Sequence, residues 1–186
     1  MGSAPRPNSM TKRAHNTEGA NMPKKKSIEL LNQAVAEELQ AVHQYMYFHF
    51  HLVDLGLKPL AALFKRAAIQ EMGHAERLAE RILFLKSDVA MVPAGPVEKI
   101  LEPEAMLAKG MSMEEKSAEF YNKAALTCSA EADSASKQVF EELVRDEEGH
   151  FDQFEKQRDN IKRFGPNYLA LQSFGDDKPG VPEESE

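Results

Sequence analysis

Apolar residues recur at intervals of three and four along four long stretches of this chain, the spacing of helices with one buried face. The first stretch follows Pro23 and runs to about Leu55, with Ile28, Leu31, Val35, Val42, Tyr45 and Leu52 in its stripe. A second set on the same stretch, Leu39, Val42, Met46 and Phe50, lies a quarter-turn or more away. A helix apolar on two sides faces both its own core and a partner. Gly56 stops this helix, and Pro59 suits the first turn of a second one that reaches about Lys86. Its inward set is Leu60, Leu63, Ala67, Leu78, Ile82 and Leu85. Ser87 to Pro103, holding Pro93, Gly95 and Pro96, reads as a long crossover. An antiparallel neighbour needs a far shorter link, so the third helix is expected to start at the end where the first one started. That third helix spans about Glu104 to Ala130, with Leu107, Met111, Ala118, Tyr121, Ala125 and Cys128 inward. The fourth spans about Asp133 to Phe164, with Phe140, Leu143, Phe154 and Ile161, and ends at Gly165-Pro166. Asn167 to Phe174 forms a short fifth helix. The predicted fold class is all-α, a four-helix bundle with a long crossover between its second and third helices and a short C-terminal fifth helix.

Acids and imidazoles interrupt these stripes at regular places. Glu38 falls between Val35 and Val42, Glu71 and His74 between Ala67 and Leu78, Glu114 between Met111 and Ala118, and Glu147 and His150 between Leu143 and Phe154. Glu71-Met72-Gly73-His74 and Glu147-Glu148-Gly149-His150 each put a carboxylate and an imidazole three residues apart, on one helix face. Each Glu of these pairs follows another Glu by 33 residues, Glu38 before Glu71 and Glu114 before Glu147. Tyr45 and Tyr121 lie seven residues after the leading Glu of their half, close to two helical turns and so on its face. The chain therefore reads as two copies of one helical hairpin. Four carboxylates on core stripes repel one another, and each is costly to desolvate alone. Arg81 and Arg145 are the nearby cations, too few to pair them all. Two divalent cations answer the problem directly, because four carboxylates and two neutral imidazoles balance their charge. A Glu from each of two helices with Glu-x-x-His from each of the other two is the known ligand pattern of di-iron and di-manganese helical bundles. Mixed oxygen and imidazole donors suit iron, manganese or zinc.

Composition narrows the function. With 186 residues the chain is one domain with room for a core. Its 30 acidic against 23 basic side chains, formal charge −7, argue against general nucleic-acid affinity and agree with collecting cations. Cys128 is the single cysteine, which excludes an intrachain disulfide or a cysteine-rich iron site and favours a reducing compartment. No apolar run spans a membrane, and residues 1–26 lack a secretory leader, so a cytoplasmic location is expected. Three regions are expected: residues 1–23 as a disordered basic tail, 24–174 as the bundle with its fifth helix, and 175–186 as a flexible acidic tail. The opening Met1-Gly2-Ser3 matches a cloning remnant and is given no functional weight.

Over nearly all of residues 24 to 174 the sequence resembles the bacterioferritins, the haem-containing branch of the ferritin-like bundles. The residues that carry the resemblance are Glu38-Leu39, Gln44-Tyr45, the run Glu71 to Glu76, the run Glu80 to Leu85, and Arg145 to His150. The resemblance implies a ferroxidase centre of two irons per subunit that oxidises Fe(II) with O₂ or H₂O₂ and stores ferric mineral. Glu71 and Glu147 would bridge the irons, Glu38 and Glu114 would be terminal ligands, and His74 and His150 would give one nitrogen each. Tyr45 would stand beside the metals within reach of a carboxylate, with Tyr121 as core filler. The resemblance further implies a homo-oligomeric shell of 24 subunits built of dimers, emptied by a ferredoxin-like reductant. Met72, next to Glu71, points about 100° away from the metals and out of the bundle. In the family such a Met from each of two subunits ligates one shared haem, b-type or another iron porphyrin. Leu39, Val42, His43, Met46 and Ile69 would line its pocket. Arg66 and Gln70 stand where some relatives carry a His and an Asp, which puts an inner-surface iron site of that kind in doubt. His49 and His51 receive no role. Two rival readings use the same bundle or its tail: a peroxidase or catalase of the rubrerythrin or manganese-catalase type, and a DNA-protecting shell that binds through the basic N-terminal arm.

Overall fold

The computed structural model describes residues 24–174, and the two tails expected at 1–23 and 175–186 lie outside the described residues. Five helices follow in order: α1 (Lys25–Asp54), α2 (Lys58–Phe84), α3 (Pro103–Ala130), α4 (Ser134–Phe164) and α5 (Pro166–Ser173). Among the described residues there is no strand, and no helix is long and apolar enough to cross a membrane. The sequence-predicted helices agree within two residues at nearly every end, because the stops are chemical. Gly56 takes φ +74° after α1, Pro59 sits in the first turn of α2, and Gly165 takes φ +57° after α4. Asp133 caps α4 by accepting a hydrogen bond from the Ser136 backbone N–H at 3.3 Å.

The direction of the third helix differs from the expectation. Lys26 at the start of α1 meets Glu131 just past the end of α3 at 2.6 Å, and Tyr45 late in α1 meets Glu114 in the first half of α3. Helix α3 therefore starts at the end where α1 finishes, and the two run antiparallel. The physical reason is simple: α2 has already returned the chain to the start of α1, and a link of this length climbs the full bundle again. It climbs along α1, whose amide side chains hold it. Asn32 Oδ1 accepts from the Ala90 N–H at 2.7 Å. Gln40 bonds both the Gly95 N–H and the Pro96 carbonyl, at 3.0 and 2.9 Å. Gln44, fully buried, bonds the Glu98 N–H and carbonyl at 2.8 and 3.0 Å. These side chains satisfy peptide groups that have no ladder of their own, which is why an irregular link lies flat on the bundle.

Two apolar clusters fill the core. One holds Tyr45, Phe48, Leu52, Phe64, Met106 and Phe154, and the other Leu31, Val35, Leu78, Ile82, Phe140 and Leu143. Ile28, Val42 and Ala118 sit at the flanks of their stripes and are only half-buried. Each of the other predicted inward residues is buried.

Candidate metal centre

Glu38, Glu71, His74, Glu114, Glu147 and His150 are all buried, none more than 4% exposed. They fall into two groups. One ligand atom from each of Glu38, Glu71, His74 and Glu147 lies within 4.8 Å of the others, and the same holds for Glu71, Glu114, Glu147 and His150. Glu71 and Glu147 belong to both groups. The sequence spacing produces this because 33 residues and one tight turn place the Glu-x-x-His step of α2 and α4 beside the Glu of α1 and α3.

Both imidazoles turn Nδ1 inward. His74 Nδ1 is 2.8 Å from Glu71 Oε2, 3.2 Å from Glu147 Oε1 and 3.5 Å from Glu38 Oε1. His150 Nδ1 is 2.9 Å from Glu71 Oε1, 3.5 Å from Glu147 Oε2 and 3.7 Å from Glu114 Oε2. Yet both Glu71 oxygens, Glu147 Oε1 and both Nδ1 atoms are buried without an aligned hydrogen-bond partner. These atoms crowd together within 2.8 to 3.7 Å without well-aligned hydrogen bonds between them. Buried polar atoms left unpaired in this way demand an explanation, and a pair of divalent cations fits the set of four carboxylates and two imidazoles.

Two tyrosines hold the outer carboxylates from the opposite half. Tyr45 donates to Glu114 Oε1, and Tyr121 donates to Glu38 Oε1 at 2.6 Å. Tyr121 was expected only to fill the core; the antiparallel packing of α1 on α3 gives it the same task as Tyr45. Signal for this existed in the matching seven-residue spacings, but a Tyr on an apolar stripe looks like packing until the helix directions are known. Arg81 does not serve the acids: it bonds Asp133 at 2.6 Å and Ser136 at 2.9 Å. Arg145 is exposed.

The electrostatics are those of a cation site. Burial pushes Glu38 and Glu114 well above the usual carboxylate range, with the charges of Glu71 and Glu147 adding to the rise. Burial would also raise Glu147, but a hydrogen bond from Glu114 and the imidazoles of His150 and His74 hold it at about 2. His74 goes up to about 12: burial would lower it, and the carboxylates of Glu147, Glu38 and Glu71 outweigh that. His150 is raised in the same way by Glu114, Glu147 and Glu71. The surrounding carboxylates thus favour the protonated form of both imidazoles.

On the outer face of α2, Met72 is 58% and Ile69 53% exposed, with His43 exposed and Leu39, Val42 and Met46 half-buried on α1. The apolar face is thus present in a single chain. Arg66 and Gln70 are exposed on α2. His49 Nδ1 lies 2.9 Å from the Ala61 carbonyl, and His51 packs on Tyr47 at 4.4 Å between ring centroids. Both contacts are to residues outside the six converging acids and imidazoles.

The ferritin-like domain family matches residues 28–164. A bacterioferritin of Rhodobacter capsulatus is 37% identical over 147 residues, covering 78% of this chain and 91% of that protein. One from Desulfovibrio desulfuricans is 35% identical over 147 residues, covering 79% and 82%. Among solved structures, the Desulfovibrio desulfuricans bacterioferritin, described with its diiron site in different catalytic states, superposes with a TM-score of 0.81 at 30% identity, covering 90% of this chain and 99% of that one. The Rhodobacter capsulatus bacterioferritin, described with a metal-free dinuclear site and a haem iron in a crystallographic special position, gives 0.77 at 33%, covering 87% and 98%.

Proposed function

We propose, on the premise that this chain belongs to the bacterioferritins, iron-storing proteins of the ferritin-like family, that it stores iron as a ferroxidase. The observation that carries this reading is the convergence of six buried acid and imidazole side chains whose inward atoms have no aligned partner. Glu38 and His74 would hold one Fe(II), Glu114 and His150 the second, with Glu71 and Glu147 shared between them. Two ferrous ions held together supply two electrons at once to O₂ or H₂O₂, which avoids release of a one-electron radical. The protein's part is positional and electrostatic. Tyr45 and Tyr121 fix the terminal carboxylates through hydrogen bonds made across the bundle. The apolar clusters on either side limit water at the site, so the fixed charges act at low dielectric. The carboxylates must shed any protons they hold, and both imidazoles must be neutral, before they can ligate.

Further parts of the reading follow from family membership and this chain's own surface. Met72 on the outer face of α2, with the apolar residues around it, fits the thioether ligation of one haem between two copies of the chain. A homo-oligomer built of such dimers, closing as a shell of 24 and reduced by a ferredoxin-like partner, is proposed with it, in the cytoplasm. The test is anaerobic addition of Fe(II) to metal-free protein followed by O₂ or H₂O₂. Two Fe(II) per subunit should oxidise in a fast phase, followed by slower growth of ferric absorbance, and Glu71→Ala should remove the fast phase. Oxidation no faster than in buffer, or O₂ evolution from peroxide by a manganese-loaded protein, would overturn the reading.

A further inference from the structure

The two hairpins superimpose in sequence with one constant offset. Glu38, Tyr45, Glu71 and His74 plus 76 give Glu114, Tyr121, Glu147 and His150. The same offset identifies the groups behind each imidazole, and there the halves part. His74 turns its outer nitrogen, Nε2, toward Asp146 Oδ2 at 3.4 Å. That oxygen accepts a hydrogen bond from Arg77 Nη2 at 2.7 Å, and Arg77 also lies 3.8 Å from Glu142. The counterparts of Asp146, Arg77 and Glu142 in the other half are Gln70, Gln153 and Arg66. Gln70 and Arg66 are exposed, and Gln153 bonds the Gly149 carbonyl at 3.3 Å. His150 Nε2 is buried and has no hydrogen-bond partner among the described residues.

We infer that Asp146, held by Arg77, is a positioning residue that makes the Glu38–His74 position the tighter of two unequal metal sites. The inference rests on the two-metal reading above. An imidazole that donates its outer N–H to a carboxylate is fixed in orientation and becomes a better donor through its other nitrogen. Here that other nitrogen is His74 Nδ1, the one facing Glu38, Glu71 and Glu147. On the opposite side a neutral amide, Gln70, takes the place of the acid, and His150 gains neither orientation nor basicity. The bridging pair is common to both positions, so it cannot equalise them. The alternative is that Arg77–Asp146 is merely a half-exposed ion pair between α2 and α4, of small value to either site.

The two readings part in a Co(II) titration of the full-length, metal-free protein, followed by calorimetry and by the visible bands of the bound ion. Wild type should bind two Co(II) per subunit in steps at least about tenfold apart, as expected when one His lacks its outer partner. Asp146→Asn should weaken the first step by about 10–100-fold and bring the two together. Gln70→Asp should instead strengthen the second. In crystals given one Zn(II) per subunit, anomalous scattering should place more metal beside His74 than beside His150. Asp146 is 43% exposed and Gln70 exposed, so both variants should fold, which far-ultraviolet dichroism checks. Equal steps in wild type, or an Asp146→Asn variant that weakens both steps alike, would overturn the inference while leaving the two-metal site standing. Failure to bind two ions at all would sink the two-metal reading itself.

Discussion

The α1–α2 and α3–α4 hairpins use the same inner residues and different outer ones. At the centre every element repeats: a Glu in one four-residue group, a Glu common to both groups, an inward Nδ1 and a Tyr that reaches across to the other half. Away from the centre the repeat breaks down, and three of the places where it does are instructive. Behind the imidazoles, Asp146 and Arg77 correspond to Gln70 and Gln153. In the turn before the second helix of each hairpin, Gly56-Leu57 corresponds to Ala132-Asp133. In the core, Ala34 and Leu78 correspond to Gly110 and Phe154. The difference separates what both hairpins share at the six converging side chains from what each settles for itself.

The strongest test of the inner symmetry is removal of ligands one at a time. Glu71→Ala and Glu147→Ala each take a donor from both positions and should abolish the fast oxidation phase, a loss beyond the 10–100-fold typical of outer partners. Glu38→Ala and Glu114→Ala each empty one position and should leave binding of a single Co(II) per subunit. A shared-residue variant that still binds two ions would break the pairing. Binding should also release protons, because His74, raised to about 12, is protonated at neutral pH and must become neutral to ligate. Affinity therefore falls as pH falls, and Zn(II) added to weakly buffered metal-free protein should acidify the solution.

Much of this was legible in the residues. Glu38, Glu71, Glu114 and Glu147 announce themselves because an acid in an apolar stripe has no inexpensive bland explanation, and Gly56, Pro59 and Gly165 mark helix ends through their backbone chemistry. Periodicity gives the phase of a helix but not its direction. The length of the crossover does not by itself say at which end α3 starts, and Tyr121 reads as packing, since its partner Glu38 is visible only once α1 and α3 run antiparallel. Asp146 and Arg77 were out of reach for another reason: charged residues on a partly exposed face look the same whether or not an imidazole stands behind them. The amides of Asn32, Gln40 and Gln44 that bind the crossover were equally silent.

The turns offer the next comparison. Asp133 accepts from the Ser136 N–H and pairs with Arg81 at 2.6 Å, whereas its counterpart Leu57 offers α2 no side-chain cap. Asp133→Ala should lower the unfolding free energy by about 3 kcal/mol, from a lost cap and an Arg81 left with little solvent. Leu57→Ala should cost through packing alone. Burial would raise the Asp133 carboxyl, but the hydrogen bond from Ser136 and the Arg81 charge hold it below its usual value. A depressed carboxyl stabilises above its unfolded pKa, near 4, and that stability is lost as pH falls through the folded value. The gap in denaturation midpoint between wild type and Asp133→Asn should therefore shrink below pH 4.

In the core the two halves have exchanged volume. A Cβ on Gly110 would sit 2.9 Å from Phe154 Cδ2, and the Phe154 ring is itself stacked on Phe64 with centroids 4.9 Å apart. Gly110→Ala should cost about 1–3 kcal/mol from overpacking, partly offset by about 0.5–1 kcal/mol of helix preference. Adding Phe154→Leu recreates the Ala and Leu of the other half and should relieve the clash, so the double mutant is more stable than the sum of the singles. Additive losses in urea denaturation would show that the two positions are not compensating.

The smallest effect lies in the turn itself. Gly56 takes φ +74° and its counterpart Ala132 takes φ +54°, so the same turn is built once with a residue suited to it and once without. An L-residue with a Cβ loses about 1–2 kcal/mol in this region, while glycine's extra freedom in the unfolded chain returns part of that gain. Ala132→Gly should therefore stabilise the protein by about 0.5–1 kcal/mol, and Gly56→Ala should destabilise it by a similar amount. Neither residue belongs to the ligand set, so Co(II) stoichiometry should stay at two per subunit in both variants. If Ala132→Gly lowers the thermal midpoint instead, contacts of the Ala132 methyl outweigh the backbone term, and the α3–α4 turn is then held by packing where the α1–α2 turn is held by its glycine.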